Sequence, residues 1–183
     1  MKVITWVDLQ DRYRVTSPAY NDGPAGETEA QCLERVWTRI VAVGGYGIPI
    51  DHPHYYVEEA VQSAQSAECC GKEFRYTGQP DENGNRSGIG GAWEMDTDGT
   101  PKVNMAKARG VHMDKIRVVR NAELLKLDLD SLRAIESGDT NAQATVNIQK
   151  QALRDIPQMF DLTARTPKQL LAKWPIELPP RTG

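Results

Sequence analysis

Residues 104–174 read NMAKARGVHMDKIRVVRNAELLKLDLDSLRAIESGDTNAQATVNIQKQALRDIPQMFDLTARTPKQLLAKW, and this stretch decides the fold. Val111, Val118, Ala122, Leu125, Leu129, Leu132 and Ile135 fall on helical spacing, which makes one apolar stripe on an α-helix. Ile116, Val119, Leu124 and Leu127 widen it. Asn104 can cap the start by accepting from an orphan backbone N–H. Gly138 can end the helix in the left-handed conformation that costs glycine least. Such a helix is about 50 Å long at 1.5 Å per residue, so it needs an extended surface to pack on.

The next segment supplies one. Thr140-Asn-Ala-Gln143 reads as a capping box. Ala144, Ile148, Ala152 and Ile156 mark a helical face that Pro157 is expected to end. The short Ser-Gly-Asp-Thr link predicts antiparallel helices, with Leu125 and Leu129 buried against Ile148 and Ala152. A third, short helix starts at Thr166-Pro167-Lys168-Gln169, with a Thr cap, Pro in the first turn and Gln closing the box. Leu170, Leu171 and Trp174 form its apolar face.

Working outward, the first hundred residues read differently. Val3–Val7 and Tyr13–Thr16 are expected to form a hairpin. A polar loop covers 17–26. Thr28-Glu-Ala-Gln31 opens a helix whose buried face is Leu33, Val36, Trp37, Ile40 and Val41, and Gly44-Gly45-Tyr46-Gly47 ends it. Residues 55–59 suit a strand and 60–71 a short helix. Gly78–Gly91 is a long loop or an insertion. Ala92–Asp96 and Pro101–Asn104 flank Asp98-Gly99, a hairpin turn signal. The chain therefore reads as α+β. A small N-terminal antiparallel sheet with one or two helices occupies 1–103, and a helical hairpin plus a short third helix occupies 104–183.

With 183 residues and a net charge of −3, the chain has room for one domain or two small ones and lacks the basic excess expected of a nucleic-acid binder. Met1-Lys2-Val3-Ile4 starts no secretory leader, and no apolar run approaches the ~18 residues of a membrane span. The expectation is a soluble protein made in a cytosol. Cys32, Cys69 and Cys70 give an odd count and no disulfide framework, so three reduced thiols are expected.

Few residues carry recognisable chemistry. His52 and His54 sit two apart around Pro53, so on an extended segment they share a side and can share a cation. Cys69 and Cys70 are the available additional ligands, but spacing identifies neither, and the reading is no metal. Gly88-Ile89-Gly90-Gly91 opens no helix, so it lacks the aimed N–H groups of a phosphate loop. Asp81-Glu82-Asn83-Gly84-Asn85 has its glycine misplaced for a calcium loop. No nucleophile-elbow or zinc-protease motif is present. No catalytic residue and no cofactor follow. Lys107, Arg109, Lys115, Arg117 and Arg120 make the first half of the long helix basic. They form either a contact surface or a solvated face neutralised by acids such as Glu58 and Glu59. Ile116, Val119 and Leu127, beside the main stripe, complete the candidate interaction set, because one short partner helix cannot cover so wide a surface.

Several blocks resemble a pattern in tail-associated proteins of tailed bacteriophages. They are Gly91-Ala92-Trp93-Glu94, Val103–Arg109, His112–Arg117, Arg120–Leu124 with Leu127-Asp128, Gln149–Asp155, and Thr166-Pro167 through Trp174-Pro175. The resemblance covers the C-terminal half, and the N-terminal half in its order of elements. It implies a virion structural protein of the tail, synthesised in the bacterial cytoplasm, holding other tail proteins or a tail fibre. It also implies a homo-oligomer, a trimer suiting fibre-like parts. A tail or fibre assembly chaperone is the alternative, and a metal-dependent enzyme around His52 and His54 the third possibility.

Overall fold

The computed structural model describes residues 1–9, 13–19, 23–43, 47–70, 74 and 91–181. The elements are β1 (Lys2–Val7), β2 (Tyr13–Thr16), α1 (Glu29–Val43), β3 (His54–Glu58), α2 (Glu59–Glu68), β4 (Trp93–Met95), β5 (Pro101–Val103), α3 (Met105–Glu136), α4 (Thr140–Met159) and α5 (Pro167–Leu171). They form two compact units, Met1–Ala108 and Arg109–Gly183, and the division falls inside α3. The fold is α+β, with a small antiparallel sheet and its helices first, then a pair of packed long helices and a short one. The expected loop at 78–90, the glycine-rich turn at 88–90, the acidic turn at 81–85 and residues 44–46 lie outside the described residues.

In the first unit β1 is central, with β2 and β3 antiparallel on either side. Val3, Ile4, Thr5 and Trp6 are all buried, so both faces of β1 are covered. Alternation sends Ile4 and Trp6 to one face, where they pack with Leu33 and Trp37 of α1 and with Ile48. Trp6 meets Trp37 edge to face at 5.8 Å, and the Trp37 indole N–H donates to the Ile50 carbonyl at 2.9 Å. The α1 capping box forms as expected: Thr28 N–H donates to Gln31 Oε1, and Gln31 N–H to Thr28 Oγ1.

The other face of β1 receives the β4–β5 hairpin. Its turn carbonyl, on Gly99, accepts from Thr5 Oγ1 at 2.8 Å and from the Tyr13 hydroxyl at 3.1 Å. Gly99 has φ +83°, and a Cβ there would lie 2.4 Å from Tyr55 Cβ and 2.9 Å from Val57 Cγ2. Only glycine permits this approach.

α3, which runs from the first unit into the second, is capped by Asn104, whose Oδ1 accepts from Ala106 and Lys107 N–H. It ends at Gly138, φ +68°, with Gly138 N–H bonded to the Ile135 carbonyl and Asp139 N–H to the Ala134 carbonyl. Two boundaries differ from the sequence reading. Asp139, not Thr140, caps α4 by accepting from Ala142 N–H, and the Gln143 side chain instead donates to the Ala134 carbonyl. Pro157 lies inside α4, which continues to Met159. The ring removes one donor but holds a helical φ, and the last turn closes with Phe160 N–H on the Ile156 carbonyl at 2.9 Å.

The packed faces also differ from the expected ones. Met113 and Ile116 of α3 meet Leu153 and Ile156 of α4 and Leu178 of the C-terminal segment. Val119, Leu124, Leu127, Phe160, Leu162 and Trp174 surround them. Leu125 and Leu129 do not pack on Ile148 and Ala152; all four are exposed.

Two outcomes check this packing by urea denaturation. Gly99→Ala should cost the protein about 2–4 kcal/mol, from left-handed strain plus overlap with Tyr55. Leu153→Ala should cost about 2–5 kcal/mol through lost burial and a cavity, whereas Leu125→Ala in dilute solution should stay within about 0.5 kcal/mol of the parent.

Candidate interaction surface

α3 carries apolar side chains on two sides. At 100° per residue, Met113, Ile116, Leu127 and Ala134 project to one side and Val118, Leu125, Leu129 and Leu132 to the opposite one. The first set is buried or half-buried in the core of the second unit. The second set is open, with Val118 64% exposed, Leu125 67%, Leu129 58% and Leu132 57%. Ala122 completes the row and is also exposed. Ile135 and, on the outer face of α4, Ile148 are further exposed apolar side chains.

The inner face contains two polar residues. Lys150 of α4 is buried, and its ammonium pairs with Asp128 Oδ1 at 2.9 Å. Near the start of the second unit His112 is fully buried, and its Nε2 lies 2.7 Å from the Lys173 carbonyl. A carbonyl only accepts, so that nitrogen donates. The His112 ring meets Trp174 edge to face at 6.1 Å, and the Arg109 guanidinium donates to the Ala164 carbonyl at 3.2 Å. These contacts hold the C-terminal segment to α3. Lys173 in turn pairs with Asp161 at 2.7 Å, and its hydrogen bond is the main cause holding that carboxyl well below its usual range.

The expected interaction residues divide accordingly. Ile116 is fully buried, and Val119 and Leu127 pack against the same core, so they are not available to a partner. The sequence reading chose them because they flank the cleaner stripe, but the flank is the inner face. The basic run is largely engaged locally. Lys107 pairs with Glu94 at 3.1 Å, Arg109 binds a carbonyl, Arg117 pairs with Asp114 at 2.7 Å, and Arg120 donates to Asn121. Lys115 is half-buried. Asn104 and then Lys107, through their hydrogen bonds, lower the Glu94 carboxyl below its ordinary range. Glu58 lies 3.5 Å from the Met1 amino group.

The histidine pair is committed to the sheet. His52 Nε2 lies 2.6 Å from the Val7 carbonyl, and His54 Nδ1 lies 2.9 Å from the His52 carbonyl. The His54 ring stacks on Trp37 at 4.0 Å and meets the Tyr56 hydroxyl, which donates to Glu34 at 2.9 Å. Burial, then Glu34, pushes the Tyr56 hydroxyl up to about 12. Among the described residues no three His, Cys, Asp or Glu side chains gather as a metal site. All three cysteines are free, Cys32 and Cys69 are buried, and the Cys69 thiol donates to the Pro101 carbonyl at 3.3 Å.

No protein-family model matches this chain, no curated protein matches it, and no solved structure matches it. The phage-tail resemblance therefore rests on the sequence blocks alone.

The Cys69 site gives a pH-dependent outcome. Burial pushes this thiol from near 9.0 up to about 11, so its share of folding stability is complete below about pH 9 and is lost as pH rises towards 11. Because the thiolate is the nucleophile, alkylation of Cys69 by iodoacetamide, followed by peptide mass spectrometry, should be slow at pH 8 and climb steeply between pH 9 and 11.

Proposed function

We propose that this chain is a tail-associated structural protein of a tailed bacteriophage, without catalytic activity, which docks on the tail and holds neighbouring subunits or a fibre. One observation carries the interaction role: the open row Val118, Ala122, Leu125, Leu129 and Leu132 lies on the side of α3 opposite its own core. A contiguous apolar row on a protein surface marks an interaction site, and an even series of Leu-sized side chains suits a helix or another flat apolar surface. The phage assignment itself is supported by the sequence blocks Gly91–Glu94, Val103–Arg109, His112–Arg117 and Arg120–Leu124. No helix among the described residues is long and apolar enough to cross a membrane, which agrees with docking through protein contacts.

Quantitative mass spectrometry of purified particles encoding this chain tests the reading. The expected result is a fixed copy number relative to the other tail proteins. Presence in the infected cell with absence from the finished particle would overturn the structural role and leave an assembly chaperone that uses the same surface transiently.

A further inference from the structure

We propose that the open row on α3 is a two-fold, parallel self-association seam, and that its occupant is α3 of a second copy of this chain. The inference takes the interaction role of this surface as its starting point and names the partner.

Spacing is the first ground. Val118, Ala122, Leu125, Leu129 and Leu132 follow one another at four, three, four and three residues. This is the 3.5-residue period of a coiled-coil seam, distinct from the broader stripe of a globular helix. Ala122 and Leu129 take the a positions and Val118, Leu125 and Leu132 the d positions of such a seam, and Ala122 lets two backbones approach. Lys115 and Glu136 stand at the next positions on either end, so charged side chains bound the seam.

Charge is the second ground, and it selects orientation. Lys126 and Arg133 lie along one edge of the row, while Asp114, Asn121 and Asp128 lie along the other. All four charged members are exposed or half-exposed. In a parallel pair the basic edge of one helix faces the acidic edge of the other. Asp128 then meets Arg133 of the second copy, and Asn121 meets Lys126. In an antiparallel pair like edges meet, placing lysine and arginine against each other and aspartate against aspartate. Lys126 and Arg133 now pair with Glu123 and Asp130 one turn away; such exposed pairs are weak and yield readily to a new partner. Asp128 holds Lys150, and a carboxylate has acceptor sites for a second donor.

Area sets the strength. At ~100 Å² of apolar surface per Leu-sized side chain, the row offers on the order of 300–400 Å² per copy. That is below the ~800 Å² per partner of a standard stable interface, so association is reversible and concentration-dependent.

Sedimentation velocity of the full chain over a wide concentration range tests the seam. The weight-average mass should rise from 20.4 kDa towards twice that value. Leu129→Glu, at an exposed position, should keep the circular dichroism spectrum and abolish the rise. Arg133→Glu should weaken the dimer, because it sets two acids against each other in the parallel arrangement; an antiparallel dimer would tighten. Leu132→Cys should form a 132–132 disulfide under mild oxidation that the parent chain does not form. A monomer at every concentration, or a dimer indifferent to Leu129→Glu, overturns the seam. A dimer tightened by Arg133→Glu, or one without the 132–132 cross-link, overturns the parallel geometry. A dimer in solution from a chain absent from particles keeps the seam and removes the tail assignment, so the two fail separately.

Discussion

A helix of 32 residues with apolar side chains on opposite sides is the constraint on which the second unit depends. One side must be covered for the chain to fold at all, since a helix this long gains most of its stability from packing. The chain covers it with α4 and with the C-terminal segment around Leu178. Two cylinders in contact share only one line of side chains each. The hairpin can therefore satisfy Ile116 and Leu127 but never Leu125 or Leu129, which point the other way. The open row is a geometric consequence of building a two-helix layer from a helix that is also apolar on its opposite side from Val118 to Leu132.

The first unit solves a related problem with different parts. β1 is nearly continuous in apolar residues, which suits a strand buried on both faces. α1 takes one face and the β4–β5 hairpin takes the other. The hairpin is fixed by one carbonyl, on Gly99, that accepts from two strands. The polar groups Thr5 and Tyr13 are thereby satisfied at the same point where the missing Cβ lets the turn come close. Asp8 is buried as well, and Arg14 Nε reaches it at 2.8 Å. The bonds from Thr5 and Tyr13 to Gly99 are long-range and specify how hairpin and sheet meet, while Asp8, Gln62 and Thr100 find their partners locally.

Much of the fold was legible in the sequence. Asn104, Gly138, the Thr28 capping box, the Thr166-Pro167 start and the Asp98-Gly99 turn act locally, within a few residues, and local chemistry reads directly from a chain. The faces of α3 and α4 were not legible in the same way. The strict row Val118–Leu132 stands out, and a sequence reader assigns it to the core. The true inner face is irregular: it mixes Met113, Ile116, half-buried Leu124 and Leu127, and Ala134. On α4 the buried series is Val146, Lys150, Leu153 and Ile156, and its lysine disguises it. The usable signal was position. Lys150 falls four residues after Val146 and three before Leu153, on the same side of the helix. The Asp139 cap was missed by one residue because Thr140 presents an equally good box.

The lysine that hides the inner face also explains why that face can be irregular. Lys150 is mostly buried and its ammonium reaches Asp128, whose carboxylate stays 58% exposed, so the pair sits where the core meets water. Sliding α4 by one turn along α3 would carry Lys150 away from Asp128 and lose that contact. The pair and the apolar core around it agree on one register for the two helices. The outer row has no such polar member between Val118 and Leu132. The two faces of α3 thus differ in regularity: the inner one mixes residue types around the Lys150–Asp128 contact, and the outer one keeps an even apolar series.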